Sequence, residues 1–420
     1  MAEEKMNFQA TWSMAVGGMV GGGIFSVLGV IIETAGQWAW LSFLIAGLTA
    51  LISTHSYSKL SIKYSEGGGA FIFLRKINHA GFAGSLSWIL ILGYILTLSV
   101  YAFTFGHYVA HVLNMGSWLP RVLALVIIVL LAGVNLQGVG NSSKLEIITV
   151  YGKVLVLLAL AVFGIFQWNP EMFTRGVQPK PWDMAIIGAG TIFMAYEGFQ
   201  LLSYDYNDLK RPNRTLPRAT GWAVISVIII YISVAVGVTM IVGAETLVKN
   251  KEVALSIAGQ QLWGTAGLII VTIAAAFSTA SAINATLFST SRLMENIAEK
   301  KDLPHLFVKE NRHHIPMYAI WSIAGVAILL AIAGNLSSLV DAASIVFLFT
   351  FGTVNWIAFQ QKVERRWLCL LGAVFCGCAI IFDIIIKVQE KPVTIIGLIS
   401  FSLLIFLFRP VLLKRMNGKD

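Results

Sequence analysis

The sequence predicts an all-α polytopic membrane protein of 12 transmembrane helices, on three observations. Hydrophobic residues make up 57% of its 420 residues and charged residues only 12%, with a mean hydropathy of +0.78. A spanning helix needs about 20 mostly apolar residues. Such runs recur at 9–32, 37–60, 82–112, 120–138, 146–167, 184–206, 217–243, 261–296, 317–333, 337–358, 366–386 and 393–412. They are too long for a transmembrane barrel, whose strands alternate over about 10 residues. The third observation is charge. With an even number of spans, about 22 of the 30 Lys and Arg fall on the side holding both termini. The positive-inside rule makes that side cytoplasmic. The net charge of +9 is therefore topology, and no nucleic-acid partner is expected.

The start, "MAEEKMNFQATWSMAV", is acidic and runs into the first span without the basic n-region or small-residue cleavage site of a signal peptide. Span one then carries "MAVGGMVGGGIFSVLG" (residues 14–29), with Gly21, Gly22 and Gly23 consecutive. Glycine costs a helix roughly 1 kcal/mol against alanine, so an interruption is expected there. Close helix packing is the other use of such glycines. Span three is long. Span five places Lys153 about eight residues inside, roughly 12 Å deep at 1.5 Å per residue. An ionisable group at that depth faces the bundle interior and usually has a function. It can carry a proton, stand as a fixed cation in place of a sodium ion, or cap freed carbonyls.

Span six, "GAGTIFMAYEGFQLLSYDYND" (188–208), is the second expected break, with Glu197-Gly198 near its middle. Interrupted segments five spans apart point to an inverted-repeat transporter with its substrate at the midplane. The exposed N–H end of a broken helix suits a carboxylate and the carbonyl end an ammonium. An α-amino acid satisfies both. Span eight, as long as span three, offers Ser278, Thr279 and Ser281 as hydroxyl partners for Lys153. In membrane helices, however, such groups often bond their own backbone. Glu197 either contacts a cationic substrate or braces the helix. Cys369, Cys376 and Cys378 in span eleven read as packing residues. His55, His107 and His111 read as packing or interfacial residues, and no His/Cys/Asp set has metal spacing. Trp12, Trp38, Trp40, Trp118, Trp168 and Trp182 stand near span ends, as an aromatic belt does. The longest loops, 167–183 and 300–316, hold at most a short helix. No GxxxxGK[ST] loop appears, so neither an ATP-driven pump nor any cofactor is expected.

"GGGIFSVLG", "FMAYEGF", "LKRPNRTLPRA" and the mid-helix Lys153 resemble the amino acid–polyamine–organocation transporter superfamily, and within it the prokaryotic proton-coupled amino acid permeases. The resemblance covers nearly the whole chain. It implies a 5+5 inverted repeat, with residues 1–169 as the first half, 170–360 as the second, and two extra helices in 361–420. It implies alternating access, an amino acid or amine substrate and a multi-pass cell-membrane location. Carried over by motif, backbone N–H groups at Gly22 and Gly23, beside Gly21 and Ile24, hold the substrate carboxylate. Carbonyls at Met19, Met194, Ala195 and Glu197, beside Gly198, accept from its amino group. Lys153 replaces sodium, and the coupling ion is a proton. The sequence departs from the pattern in three places. Gly22 stands where Ser or Thr is common. Met194 stands where an aromatic gate is usual, leaving Phe193 or Phe199 for that task. Asn207, near Asp205 and Asp208, replaces a frequent glutamate. The expected function is proton-coupled amino acid import, with amino acid exchange or amino acid sensing as alternatives, and no enzymatic activity.

Overall fold

The computed structural model describes residues 5–67, 69–77, 79–138, 143–390 and 392–417; the acidic start at residues 1–4 lies outside them. Helices occupy the apolar runs in order. The first half of the chain holds α1 (Phe8–Ala35), α2 (Ala39–Tyr64), a short α3 (Gly69–Lys76), α4 (Ala80–Leu113), α5 (Leu119–Leu136) and α6 (Ser143–Phe166). There follow α7 (Met184–Thr191), α8 (Pro212–Val242), a short α9 (Ala244–Lys249), α10 (Ala254–Glu299) and α11 (Met317–Ala333). The chain closes with α12 (Leu336–Gln360), α13 (Arg366–Glu390) and α14 (Pro392–Asn417). No strand occurs among the described residues, only two isolated bridges. Among the described residues eight helical stretches are long and apolar enough to cross a membrane, with α1 and α2 joined in one of them.

Burial separates core from rim. Nearly every residue of α1 from Ala15 onward is buried, and it touches α4, α6, α8, α10 and the segment after α7. By contrast α5, α6 and α13 expose large apolar side chains such as Leu130, Leu155, Phe166 and Ile381. In a bilayer such faces meet lipid, a solvent as apolar as they are.

Four expectations change. Span one is not interrupted: α1 runs unbroken through Gly21, Gly22 and Gly23. The reason is tertiary. In a packed apolar interior an amide released from the helix has no water to bond, so it stays in the ladder. The eighth segment does contain a break, at Gly264, whose φ of 61° and ψ of −145° set the start of α10 apart from the rest. The loops after spans two and seven hold α3 and α9. Finally, α13 continues past residue 386 to Glu390 and carries Lys387 into the protein.

Loops and helices are pinned by ionic and close-packing contacts. Asp302, just after α10, pairs with Arg75 of α3 and Arg409 of α14, and its carbonyl accepts from Trp88 Nε1 at 2.9 Å. Between α6 and α8 the backbones nearly touch. A Cβ on Gly164 would stand 2.0 Å from the Gly237 carbonyl oxygen, and one on Gly237 2.5 Å from the Ala161 carbonyl oxygen. Small residues make such approaches possible. Overpacking costs about 1–3 kcal/mol when side chains can give way, and here the obstacle is backbone. Gly164→Val is therefore expected to lower thermal stability in detergent at least that much, measured by loss of the monodisperse elution peak on heating. Val162→Ile, on an exposed position of the same helix, is expected to leave it unchanged.

Candidate functional site

The site is built where span six breaks against α1. After α7 ends at Thr191, a 3₁₀ turn covers Phe193–Tyr196, Glu197 is extended (φ −66°, ψ 144°), and Gly198 takes φ 130° before a second turn, Phe199–Ser203. Only glycine adopts that φ without strain. There is no room for a side chain either, because a Cβ on Gly198 would lie 2.8 Å from Gly18 C and Met19 N. The break therefore rests backbone to backbone on α1.

Helical bonds lost at the break are replaced by side chains. The Met194 N–H donates to Ser344 Oγ (3.1 Å), and that hydroxyl donates to the Thr191 carbonyl (2.6 Å). The Gly198 N–H donates to Gln200 Oε1 (2.8 Å). The Tyr231 hydroxyl of α8 lies 2.7 Å from the Met19 carbonyl and 2.9 Å from that of Ala195, sharing its hydrogen between the two. These are two of the carbonyls expected to face a substrate amino group.

On α1 three neighbouring carbonyls receive donors from three helices. Lys153 Nζ reaches Gly17 O at 3.0 Å, Tyr231 reaches Met19 O, and Ser278 Oγ reaches Val20 O at 3.1 Å. Lys153 is only 4% exposed, so its ammonium is spent on protein groups. The glycines make room for this convergence. A Cβ would meet Ala282 at 2.9 Å from Gly21, the Tyr101 ring at 1.9 Å from Gly22, and the Tyr231 hydroxyl at 2.3 Å from Gly23. Ile24, next in line, is fully buried.

Glu197, 3% exposed, accepts from Gln200 Nε2 at 2.9 Å, and the Tyr101 hydroxyl lies within its reach. The same Gln200 Nε2 donates to Tyr94 Oη (3.4 Å), which in turn bonds Tyr204 Oη (3.3 Å). Tyr204 lines a cavity of about 320 Å³ with Glu66, Asp205, Asn207 and Arg292. A polar chain thus links the buried carboxyl to an opening on the face carrying the segment 205–211.

Other expected residues are placed differently. Phe193 and Phe199 pack on Phe351 of α12, with centroids 5.4 and 5.3 Å away, and the ring lying on Gly22 is that of Tyr101 instead. Ser278 reaches α1, whereas Thr279 bonds its own helix at Ala275 O and Ser281 is half-buried one turn further on. His55 and His107 bond the carbonyls of Glu364 and Phe103. Cys369 and Cys376 are buried, but Cys378 is exposed.

Sequence reasoning passed over Tyr101, Tyr231, Gln200 and Ser344, and with them a buried ionic cluster. Lys387 Nζ of α13 lies 2.6 Å from Asp341 Oδ1 of α12, 2.8 Å from Asp383 Oδ2 one turn back, and 2.9 Å from Thr191 Oγ1 at the end of α7. All three charged residues are at most 4% exposed. The signal was available, since Asp341 and Asp383 stand inside apolar runs. Lys387 stands one residue beyond the apolar run 366–386.

Comparison with known proteins agrees with this architecture. The family described as amino acid permease matches residues 6–413. The inner membrane transport protein YbaT of Escherichia coli is 30% identical over 358 residues, covering 83% of this chain and 82% of that protein. The serine/threonine exchanger SteT of Bacillus subtilis is 26% identical over 373 residues, covering 84% and 83%. The human large neutral amino acids transporter small subunit 2 is 24% identical over 382 residues, covering 87% and 70%.

The cluster around Lys387 generates a stability prediction. Removing one partner of a buried ion pair costs about 3–5 kcal/mol, whereas replacing the whole set by apolar groups is often neutral. Lys387→Met is expected to destabilise the protein by that amount. Combining it with Asp341→Leu and Asp383→Leu is expected to recover most of the loss, as read by thermal unfolding in one detergent.

Proposed function

Because the chain belongs to the amino acid permease family, we propose that it is a secondary active transporter importing amino acids across the cytoplasmic membrane by alternating access, coupled to protons through Lys153. The observation that carries this reading is the break at Glu197–Gly198 seated on Gly18–Met19 of α1, the arrangement that a midplane substrate site between two repeats requires. In this reading both termini are cytoplasmic, residues 1–169 and 170–360 form the two inverted repeats, and residues 361–420 add two helices.

A substrate binds where α1 and the break meet. Its carboxylate takes the N–H groups at Gly21–Gly23, next to Ile24, once α1 opens there. Its ammonium takes carbonyls at Met19, Met194, Ala195 and Glu197, displacing the Tyr231 hydroxyl, which is a neutral donor holding two of them. A cationic donor makes the stronger bond. Tyr101 covers the glycines as the gate. Lys153 bonds the α1 carbonyl one turn below them, so loss of its proton frees α1 to move. Ser278 follows the same helix from α10.

A second reading, exchange of one amino acid for another, is supported by the relative named a serine/threonine exchanger. It is supported also by the place of Lys153, whose ammonium serves equally as a fixed cation. Uptake of an amino acid panel by protein in liposomes separates the readings. Under the first, a pH gradient (acid outside) drives accumulation and a sodium gradient does not. Lys153→Ala abolishes that accumulation but retains exchange. Under the second, accumulation is absent and exchange alone occurs. No uptake of any amino acid under either gradient or in exchange would falsify both. Gly198→Ala is expected to abolish transport in every mode, since neither its φ nor its contact with Gly18 admits a side chain.

A further inference from the structure

We propose that a recess between the start of α1 and the start of α8 binds the headgroup of an anionic phospholipid. It is lined by Phe8, Arg211, Arg214, Thr215, Arg218 and Trp222 and is an open depression of about 600 Å³. The inference rests on membrane embedding and not on the transport cycle, which uses none of these residues.

The first argument is register. At 100° per residue Arg214, Arg218, Trp222 and Ile229 fall within an arc of about 80° on α8, and Arg211 immediately precedes it. Along the axis the arginines span about 10 Å, Trp222 stands about 6 Å beyond Arg218, and Ile229 about 10 Å further still. Trp222 is 59% and Ile229 58% exposed. From the membrane surface inward this face therefore presents cations, an interfacial indole and an aliphatic side chain. A phospholipid presents the complementary order of anionic head, glycerol interface and acyl chain.

The second argument is charge. Several other cations near the same face are spent on carboxylates: Lys59 on Glu364, Arg75 on Asp302, Lys76 on Glu66 and Arg292 on Glu295. At Glu364, the hydrogen bond from Lys59 holds the carboxyl below its usual range. Arg211, Arg214 and Arg218 have no carboxylate within 4.0 Å among the described residues. Their guanidiniums are planar forks suited to two phosphate oxygens at once. Arg211 is also held in the left-handed region (φ 55°, ψ 61°) immediately before Pro212 opens the helix, which turns the chain so that it starts this cationic face. A phospholipid uses the recess better than a free anion does. Phe8 is 45% exposed and walls the recess together with Trp222, and an inorganic anion gains nothing from two apolar walls.

The test uses the full chain in phosphatidylcholine vesicles containing increasing dibrominated phosphatidylglycerol. The signal of Trp222 is the difference between the native protein and Trp222→Phe, since the chain has 12 tryptophans. Quenching is expected at low mole fraction of the anionic lipid. Arg211→Gln/Arg214→Gln/Arg218→Gln is expected to need about a hundred-fold more of it, and the single exposed variants Arg214→Gln and Arg218→Gln about five-fold each. Dibrominated phosphatidylcholine is expected to quench native and variant alike. Three outcomes would overturn the proposal. One is equal quenching of the native protein by both lipids. Another is the same loss from Lys362→Gln/Arg365→Gln/Arg366→Gln, which would make the effect general surface charge. The last is reversal by millimolar inorganic phosphate, which would make the recess a free-anion site.

Discussion

A backbone group released inside a bilayer has no water to turn to, and this constraint orders the whole protein. A helix there can be opened only where other parts of the chain accept the freed groups. Span six is opened, and two of its three replacements come from other helices. Ser344 of α12 serves the end of α7, Gln200 serves Gly198, and Tyr231 of α8 serves Ala195. The break is thus a property of the packed elements around it as well as of its own sequence. Because the partners are fixed in α8 and α12, the break is also fixed against α1, where Gly18 and Gly198 meet.

The two buried lysines solve different electrostatic problems. Lys387 sits between two carboxylates of neighbouring helices and a hydroxyl at the end of α7, so each of its donors meets a strong acceptor. Desolvating such a set is costly, and complete pairing is what makes it tolerable. It fixes α7 against α12 and α13. Lys153 donates to a backbone carbonyl of α1, a weaker acceptor that also belongs to the helical ladder. The first lysine holds an assembly together, and the second ties α6 to a backbone carbonyl of α1.

Much of this was legible in the sequence, and the boundary is physical. Length and hydropathy gave the helices, since the bilayer sets both. Glu197-Gly198 gave the break, because a carboxylate next to glycine inside an apolar run conflicts with an ordinary span. Lys153 was visible for the same reason. The continuity of α1 was not legible. Glycine propensity is a local quantity worth about 1 kcal/mol per residue, while the choice between helix and break depends on what surrounds the freed amides. Around Gly21–Gly23 stand Ala282, Tyr101 and Tyr231, residues distant in sequence. Tyr101 and Tyr231 look like any aromatic in a span until the partner helix is placed. Phe193 and Phe199 pack on Phe351, because the unusual backbone around Gly198 decides where neighbouring rings point. Lys387 was missed by one helical turn at the end of α13.

The continuous α1 and the proposed substrate site follow from the same missing Cβ atoms. With α1 closed, three helices pack onto Gly21, Gly22 and Gly23 at distances that any side chain would forbid. When a ligand brings a carboxylate and an ammonium, the helix exchanges neutral bonds for charge-assisted ones, which are roughly twice as strong. Glycine makes that exchange inexpensive, since it loses the least on leaving a helix and enters unwound conformations freely. In the proposed site the Tyr231 hydrogen shared between Met19 and Ala195 is the group such a ligand would displace, a single neutral donor spread over two acceptors.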